Sequence, residues 1–375
     1  MQAIFSVIVP FFALVLAGYV AAHRRWLPEA SIPGLNVFVL YFALPCLLFR
    51  FGANTPLLEL LHPTILAVYL MSAVTIVFVT IRATLGPRIH LQAPPGPGHA
   101  QPPCRPRRAQ ALAPSPSTVR PLDGPCPGSA PHGGQGNLER PGVSLKDAAF
   151  GALVAAFPNT GFMGMPLLVA LLGKAAAGPV ICAVLVDILF TSSLCIALAQ
   201  LHGSSGGLRP ALAQALRGTL SNPLPWSIVA GMISSASGYR LAGPLDVMTR
   251  MMADAASPVA LFTIGAVLWR AGQHVHTRTP VALFLPVALI KLFMHPLLVF
   301  GLGTAAQALG APLSPFQLLV LTLAAALPSA SNVSLLAERY GADNGRVARI
   351  ILASTVLAFI SFSLLTWFVG VKPTG

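Results

Sequence analysis

Apolar stretches of around 17 to 25 residues recur along most of this chain with hardly a charged side chain inside them. That length matches the hydrocarbon thickness of a bilayer. A backbone in lipid must satisfy its own hydrogen bonds, which leaves helices or closed barrels as spanning structures. The runs do not alternate polar and apolar residues, so they read as helices. Charged residues make up 9% of the 375 positions and hydrophobic residues 55%. An ordinary soluble domain carries about 25% charge. A soluble enzyme, a disordered chain and a disulfide-built secreted domain are thereby excluded. Five Cys occur without a CxxC pair, so no metal site or disulfide framework is read.

Ten candidate spans emerge: 3–22, 32–51, 61–82, 148–172, 177–200, 223–242, 255–271, 280–304, 315–338 and 345–370. The first is read as a retained span, because Arg24 and Arg25 follow its apolar core and no basic region precedes it. With the N-terminus outside, 17 of the 23 Lys and Arg fall on the inner side and four on the outer. Leaving out residues 82–146, the ratio is nine to four. Basic residues favour the cytoplasmic side, so the expectation is an even number of helices with both termini outside. The formal net charge of +13 then reads as topology signals facing anionic lipid, and nucleic acid is not expected as a partner.

Residues 83–147 stand apart. They contain 14 Pro and 9 Gly with no helical period, and read as a disordered, Arg-rich cytoplasmic insert. The expected organisation is therefore 1–82 (helices 1–3), the insert, 148–204 (helices 4 and 5), a cytoplasmic linker at 205–222, and 223–371 (helices 6–10). Short similarities relate the two sets of five: YFALPCLLFRFG with DAASPVALFTIGAVL, and FPNTGFMGMPLL with LPSASNVSLLAERYG. Five helices per half would make the halves opposite in orientation, the inverted-repeat plan of many secondary transporters. The expected fold is all-α and polytopic: ten transmembrane helices as two inverted five-helix repeats, with helices 4 and 9 broken where they cross.

The breaks are legible residue by residue. Pro158 cannot donate a backbone hydrogen bond and disfavours helix at the residue before it. Gly161 allows close packing or unusual dihedrals, and Pro166 interrupts the chain again. Pro328 is the counterpart in the second half. A plain kinked helix is the bland alternative at each place. Near the breaks, Asn159 and Asn332 offer both a donor and an acceptor, suited to a carboxylate or to a coupling ion's shell; the same amides could instead cap the broken ends. Thr160, Ser329 and Ser331 are weaker candidates. Asp187 stands near the middle of a span, where a carboxylate is costly unless paired, protonated or wetted. It could take up a coupling proton or serve as a packing partner. Lys291, also deep in a span, could neutralise an anion or pair with Asp187. His295 could relay protons near neutral pH but reads mainly as packing. Asn36 could add a polar wall. Arg50 reads as snorkelling to an interface. Glu338, Arg339, Asp343 and Arg346 read as an interfacial salt-bridge cluster. No GxxxxGK[ST] occurs, so neither nucleotide nor other cofactor is expected, and the chain does not read as an enzyme.

The stretches PFFALVLAGYVAAHRRWLP, LNVFVLYFALPCLLF, AAFPNTGFMGMPLLVALLG, KLFMHPLL and ALPSASNVSLLAERYG resemble the auxin efflux carrier family, most closely its bacterial branch, which includes malonate transporters. The resemblance covers nearly all of 1–82 and 144–370. The insert departs from it, since bacterial members usually carry a short link there. The resemblance implies ten helices in two inverted repeats, a scaffold and a transport domain, a homodimer, and a bacterial inner membrane in which the outer termini would be periplasmic. It also implies a secondary transporter of small organic anions, with malonate or a related carboxylate leading; Asp187, the one acid near the middle of a span, favours a proton over sodium as the coupling ion. An auxin-like weak-acid exporter, or a sodium-coupled carrier of bulkier amphipathic anions, is the alternative.

Overall fold

The computed structural model describes residues 2–55, 62–85, 143–201, 213, 217–218, 220–273 and 279–371. The insert expected at 83–147 and the linker expected at 205–222 lie largely outside these residues. Every named element is helical. In chain order they are α1 (Gln2–His23), α2 (Ile32–Phe38), α3 (Leu44–Asn54), α4 (Pro63–Leu85), α5 (Leu145–Ala156), α6 (Met165–Leu172), α7 (Ala177–Val186), α8 (Ser192–Gln200), α9 (Pro223–Ser237), α10 (Pro244–Gln273), α11 (Val281–Leu289), α12 (His295–Ala308), α13 (Pro315–Ala325), α14 (Val333–Arg339) and α15 (Asn344–Phe368). Single π-helical turns join α2 to α3, α7 to α8 and α11 to α12 without ending the helix, and another opens the helix that continues as α6.

The expectation of ten spans in two inverted five-helix repeats is not met. Among the described residues, seven helices are long and apolar enough to cross a membrane: Ile4–His23, Glu29–Asn54, Pro63–Leu85, Lys174–Gln200, Pro244–Arg270, Val281–Ala308 and Asn344–Phe368. The three expected spans that fail are 148–172, 223–242 and 315–338. A hydropathy window registers side chains and is blind to a backbone that stops being helical. The helix in 148–172 ends at Ala156 after 12 residues. That in 315–338 ends at Ala325 after 11. α9 has 15 residues and stops at Gly238, whose φ of +69° is left-handed. At about 1.5 Å per residue these helices reach roughly 17–22 Å, short of the about 30 Å of hydrocarbon. An even count of spans therefore no longer places both termini on one side.

Two sets of helices pack within this unit. α1, α3, α9 and α10 pack on one another, and α4, α5, α7, α8, α12 and α13 do likewise; α15 touches members of both sets. In the first set, glycine lets helix backbones meet, as is usual where lipid supplies no hydrophobic drive. A Cβ added at Gly18 would overlap the carbonyl oxygen of Phe262, and one added at Gly265 would lie 2.6 Å from the Tyr19 nitrogen. Of the seven spanning helices, Lys174–Gln200 in the second set is the most buried: 83% of its best apolar window is inside the protein, against 28% for Ile4–His23. That difference makes α7 and α8 an interior element, the place where a charged group would be shielded from lipid.

Candidate functional site

Two interruptions of helix face each other. After α5 the backbone leaves the helix at Phe157–Asn159; after α13 it leaves at Leu327–Ser331. The Asn159 N–H donates to the Pro328 carbonyl (2.8 Å), and the Ala330 N–H donates to the Phe157 carbonyl (3.0 Å). Pro158 and Ser329 thus sit opposite each other in a single antiparallel bridge. This pairing answers the question that any break in an apolar interior raises, namely where its backbone hydrogen bonds go. Proline suits both positions, because neither Pro158 nor Pro328 has an N–H to satisfy. Ser354 of α15 adds a side-chain acceptor for the Ser329 N–H (3.2 Å). Gly164 allows the approach on the other side, since a Cβ there would lie 2.6 Å from Leu327 Cδ1. Gly161 has no such neighbour and no left-handed backbone, so neither reason for glycine applies to it. Pro166 lies in the first turn of α6, inside the helix that Thr160 opens with a π-helical turn, and it removes one backbone donor from a helix that nevertheless continues to Leu172.

A polar cluster extends from this bridge into the second helix set. Asp187 is fully buried. Its Oδ2 accepts hydrogen bonds from Thr160 Oγ1 (3.2 Å) and the Tyr69 hydroxyl (3.3 Å). The Tyr69 ring lies 5.8 Å from that of His295. His295 Nδ1 is 3.3 Å from Lys291 Nζ, which donates to the Ala325 carbonyl at 2.6 Å. Thr160 starts the helix after the first break and Ala325 ends the helix before the second. The cluster therefore connects the two breaks through side chains from α4, the α7–α8 junction and the α11–α12 junction. Asp187 and Lys291 stand in one cluster without a direct ion pair; ion pairs elsewhere include Arg50–Asp246, Arg250–Asp246 and Arg270–Glu29.

Local backbone geometry presents these groups. Thr160 and Asp187 each open a π-helical turn, and Lys291 lies within a third. Such a turn inserts one residue into the α-helical ladder and is frequent at functional sites. Several buried polar atoms of the neighbourhood have no partner: Asn159 Oδ1, Asp187 Oδ1, His295 Nε2, Ser329 Oγ and Asn332 Oδ1. Each such atom costs on the order of 1–3 kcal/mol if it stays unsatisfied. Several in one neighbourhood set it apart from the apolar interior around it.

The sequence-derived candidates divide accordingly. Thr160 and Asp187 are bonded to each other, and Lys291 stands in the same cluster. Asn159 and Ser329 belong to the bridge. Ser331 is buried, its carbonyl accepting from Ser334 Oγ at 3.0 Å, and Asn332 precedes α14. Asn36 lies elsewhere, in the wall of a cleft of ≈ 260 Å³ shared with Arg270, Ser334, Glu338 and Asn344. Sequence reading missed Tyr69, whose only signal is a tyrosine in the middle of the apolar run 61–82. It also undervalued His295, one turn beyond Lys291. Arg50 is held by Asp246 (2.7 Å) and does not simply snorkel. The expected salt-bridge cluster at 338–346 takes another form. The Arg346 guanidinium bonds the carbonyls of Leu283 (2.9 Å) and Asp147 (3.1 Å) and the Thr84 hydroxyl (3.4 Å), while the Asp343 carboxylate caps α15 by accepting from the Arg346 N–H (2.9 Å).

Seven apolar helices long enough to span a bilayer define a polytopic membrane protein, and buried ionisable groups lie among them. The chain belongs to the family described as Membrane transport protein, whose sequence profile matches residues 3–90 and 142–366. It is 24% identical over 372 residues to a protein of Rhizobium meliloti (strain 1021) named "Putative malonate transporter", covering 98% of this chain and 97% of that one. It is 28% identical over 216 residues to the "Uncharacterized transporter YfdV" of Escherichia coli (strain K12), covering 57% of this chain and 65% of that one.

Proposed function

We propose that this membrane transporter is a secondary carrier of small organic anions, malonate or a related carboxylate, working by alternating access with a proton as the coupling ion. The observation that carries the reading is the buried Asp187 cluster beside two paired helix breaks. Its unpartnered amide and hydroxyl oxygens, the Asn159 and Asn332 amides and the Lys291 ammonium supply the donors, acceptors and positive charge that a carboxylate and its coupling ion require. The name of the Rhizobium relative, aligned over nearly its full length, supports malonate as the leading substrate.

The cluster contains one carboxylate, and that favours a proton. A sodium shell built from several carboxylates is not on offer, whereas a proton needs a single titratable group that can be exposed to either side in turn. Uptake of labelled malonate into proteoliposomes, driven by a pH gradient at fixed sodium, tests the reading. Gradient-dependent uptake that loses its proton dependence in Asp187→Asn is expected. Absence of gradient-driven flux for every carboxylate offered would sink the substrate assignment. Proton-dependent flux surviving in Asp187→Asn would remove that residue from the coupling role. Preference for an indole or sterol acid would turn the reading toward carriers of bulkier anions.

A further inference from the structure

We propose that the Lys291 ammonium is a tethered cation, filling from within the chain a monovalent-cation site at the C-terminal end of α13. The inference rests on the carrier reading above and names what holds the second break neutral during the cycle. The last residues of a helix leave carbonyls without intrahelical partners and carry partial negative charge. Lys291 Nζ sits on one of them, the Ala325 carbonyl, at 2.6 Å. His295 Nδ1 is its second neighbour at 3.3 Å, and the His295 ring packs against Tyr69, which bonds the Asp187 carboxylate. A backbone carbonyl at a helix break and an imidazole nitrogen are the ligand types that a free monovalent cation would meet there, as in transporters whose broken helices bind sodium through unwound carbonyls. Lys291 is fully buried, so its charge takes the place of an ion and does not reach solvent. An ammonium has three donors, and these two partners leave one for the carboxylate side of the cluster. Tyr69, bonded to Asp187 and packed against His295, closes the site toward α4.

Removing the tether should expose the site to a small free cation. The full chain is purified as wild type, Lys291→Ala and Lys291→Met. Its thermal stability is compared in choline, sodium and methylammonium chloride of equal ionic strength. Wild type should melt at one temperature in all three salts. Lys291→Ala should melt several degrees higher in methylammonium or sodium than in choline, because a ligand that binds only the folded state stabilises it. Lys291→Met fills the same space with an uncharged chain and should gain nothing. In proteoliposomes, Lys291→Ala should lose more than about tenfold of its flux in choline and recover it in methylammonium. A Lys291→Ala protein whose melting temperature is equal in all three salts overturns the proposal, as does wild-type flux by that variant in choline. If Lys291→Ala does not fold, Lys291→Gln decides. Its amide keeps the bond to Ala325 without the charge, so a folded variant should transport nothing, and wild-type flux would overturn the proposal. The salt-specific melting shift is read without any cargo. A wild type that accumulates no carboxylate therefore counts against the carrier reading and leaves this one to be judged by stability.

Discussion

Replacing Asp187 with asparagine changes its charge and almost nothing else. The side-chain volume is kept, and the amide oxygen can still accept from Thr160 and Tyr69, the two donors that bond Oδ2. What is lost is the counter-charge that Lys291 experiences. Two unit charges about 4 Å apart at an effective dielectric of about 20 interact by about 4 kcal/mol. No direct ion pair joins Asp187 and Lys291, so the coupling lies below that figure, in the range of about 1–4 kcal/mol. Asp187→Asn and Lys291→Met should each destabilise the protein, since each leaves a buried charge uncompensated. The double variant should be more stable than the sum of the two losses by the coupling energy, and more stable than Asp187→Asn alone. For a chain of this size roughly 2 °C accompanies each kcal/mol, so the recovery corresponds to roughly 2–8 °C. Thermal unfolding of the four purified proteins in one detergent and buffer measures the cycle. Effects that add to within about 0.5 kcal/mol would refute electrostatic coupling and reduce the two residues to independent packing partners.

Gly265→Val should drive α1 away from α10, because even a Cβ there meets the backbone of Val15 and Tyr19; the expected cost is about 1–3 kcal/mol or more, seen as a lower melting temperature, whereas the same change at Gly301, which has open space around it, should be neutral. Tyr69→Phe removes one of the two donors to Asp187 and should cost about 1.5–3 kcal/mol; it should also alter the pH profile of flux, while a profile identical to wild type would remove Tyr69 from the site. Arg346→Lys loses the planar fork that holds Thr84, Asp147 and Leu283 at once, and should destabilise by about 1–3 kcal/mol. Because one guanidinium reaches both Thr84 near the end of α4 and Asp147 at the start of α5, a short Gly/Ser link replacing residues 87–142 should leave melting temperature and flux unchanged. Loss of either would show that the replaced segment is needed for folding or transport.

Much of the site was legible before any fold was known. Pro158, Asn159, Pro328 and Ser329 stand out because proline and polar side chains are conspicuous in apolar runs, and they occupy the two facing breaks. Asp187 and Lys291 stand out for the same reason, since charge at membrane depth is rare. Asn36 shows the limit of such reasoning: a polar residue in an apolar run declares that it needs an explanation without saying which cavity supplies it. Tyr69 shows the converse. Its ring is apolar enough to pass unnoticed, and only the approach of α4 to the α7–α8 junction gives its hydroxyl a partner.

The sequence by itself determined the solvent of this protein. Side-chain hydropathy acts residue by residue, and a chain with 9% charge and 55% hydrophobic residues can bury itself only in lipid. It likewise determined where helices could not continue, because proline acts on its own turn. The number of crossing helices was decided only in three dimensions. Whether an apolar run spans depends on the unbroken length of its backbone ladder, and α5, α9 and α13 stop after 12, 15 and 11 residues. Tertiary structure alone also decided that the two interruptions would satisfy each other's hydrogen bonds, and that Asp187 and Lys291 would share one buried cluster without touching. Those are relations between segments more than a hundred residues apart, set by packing, and no local pattern encodes them.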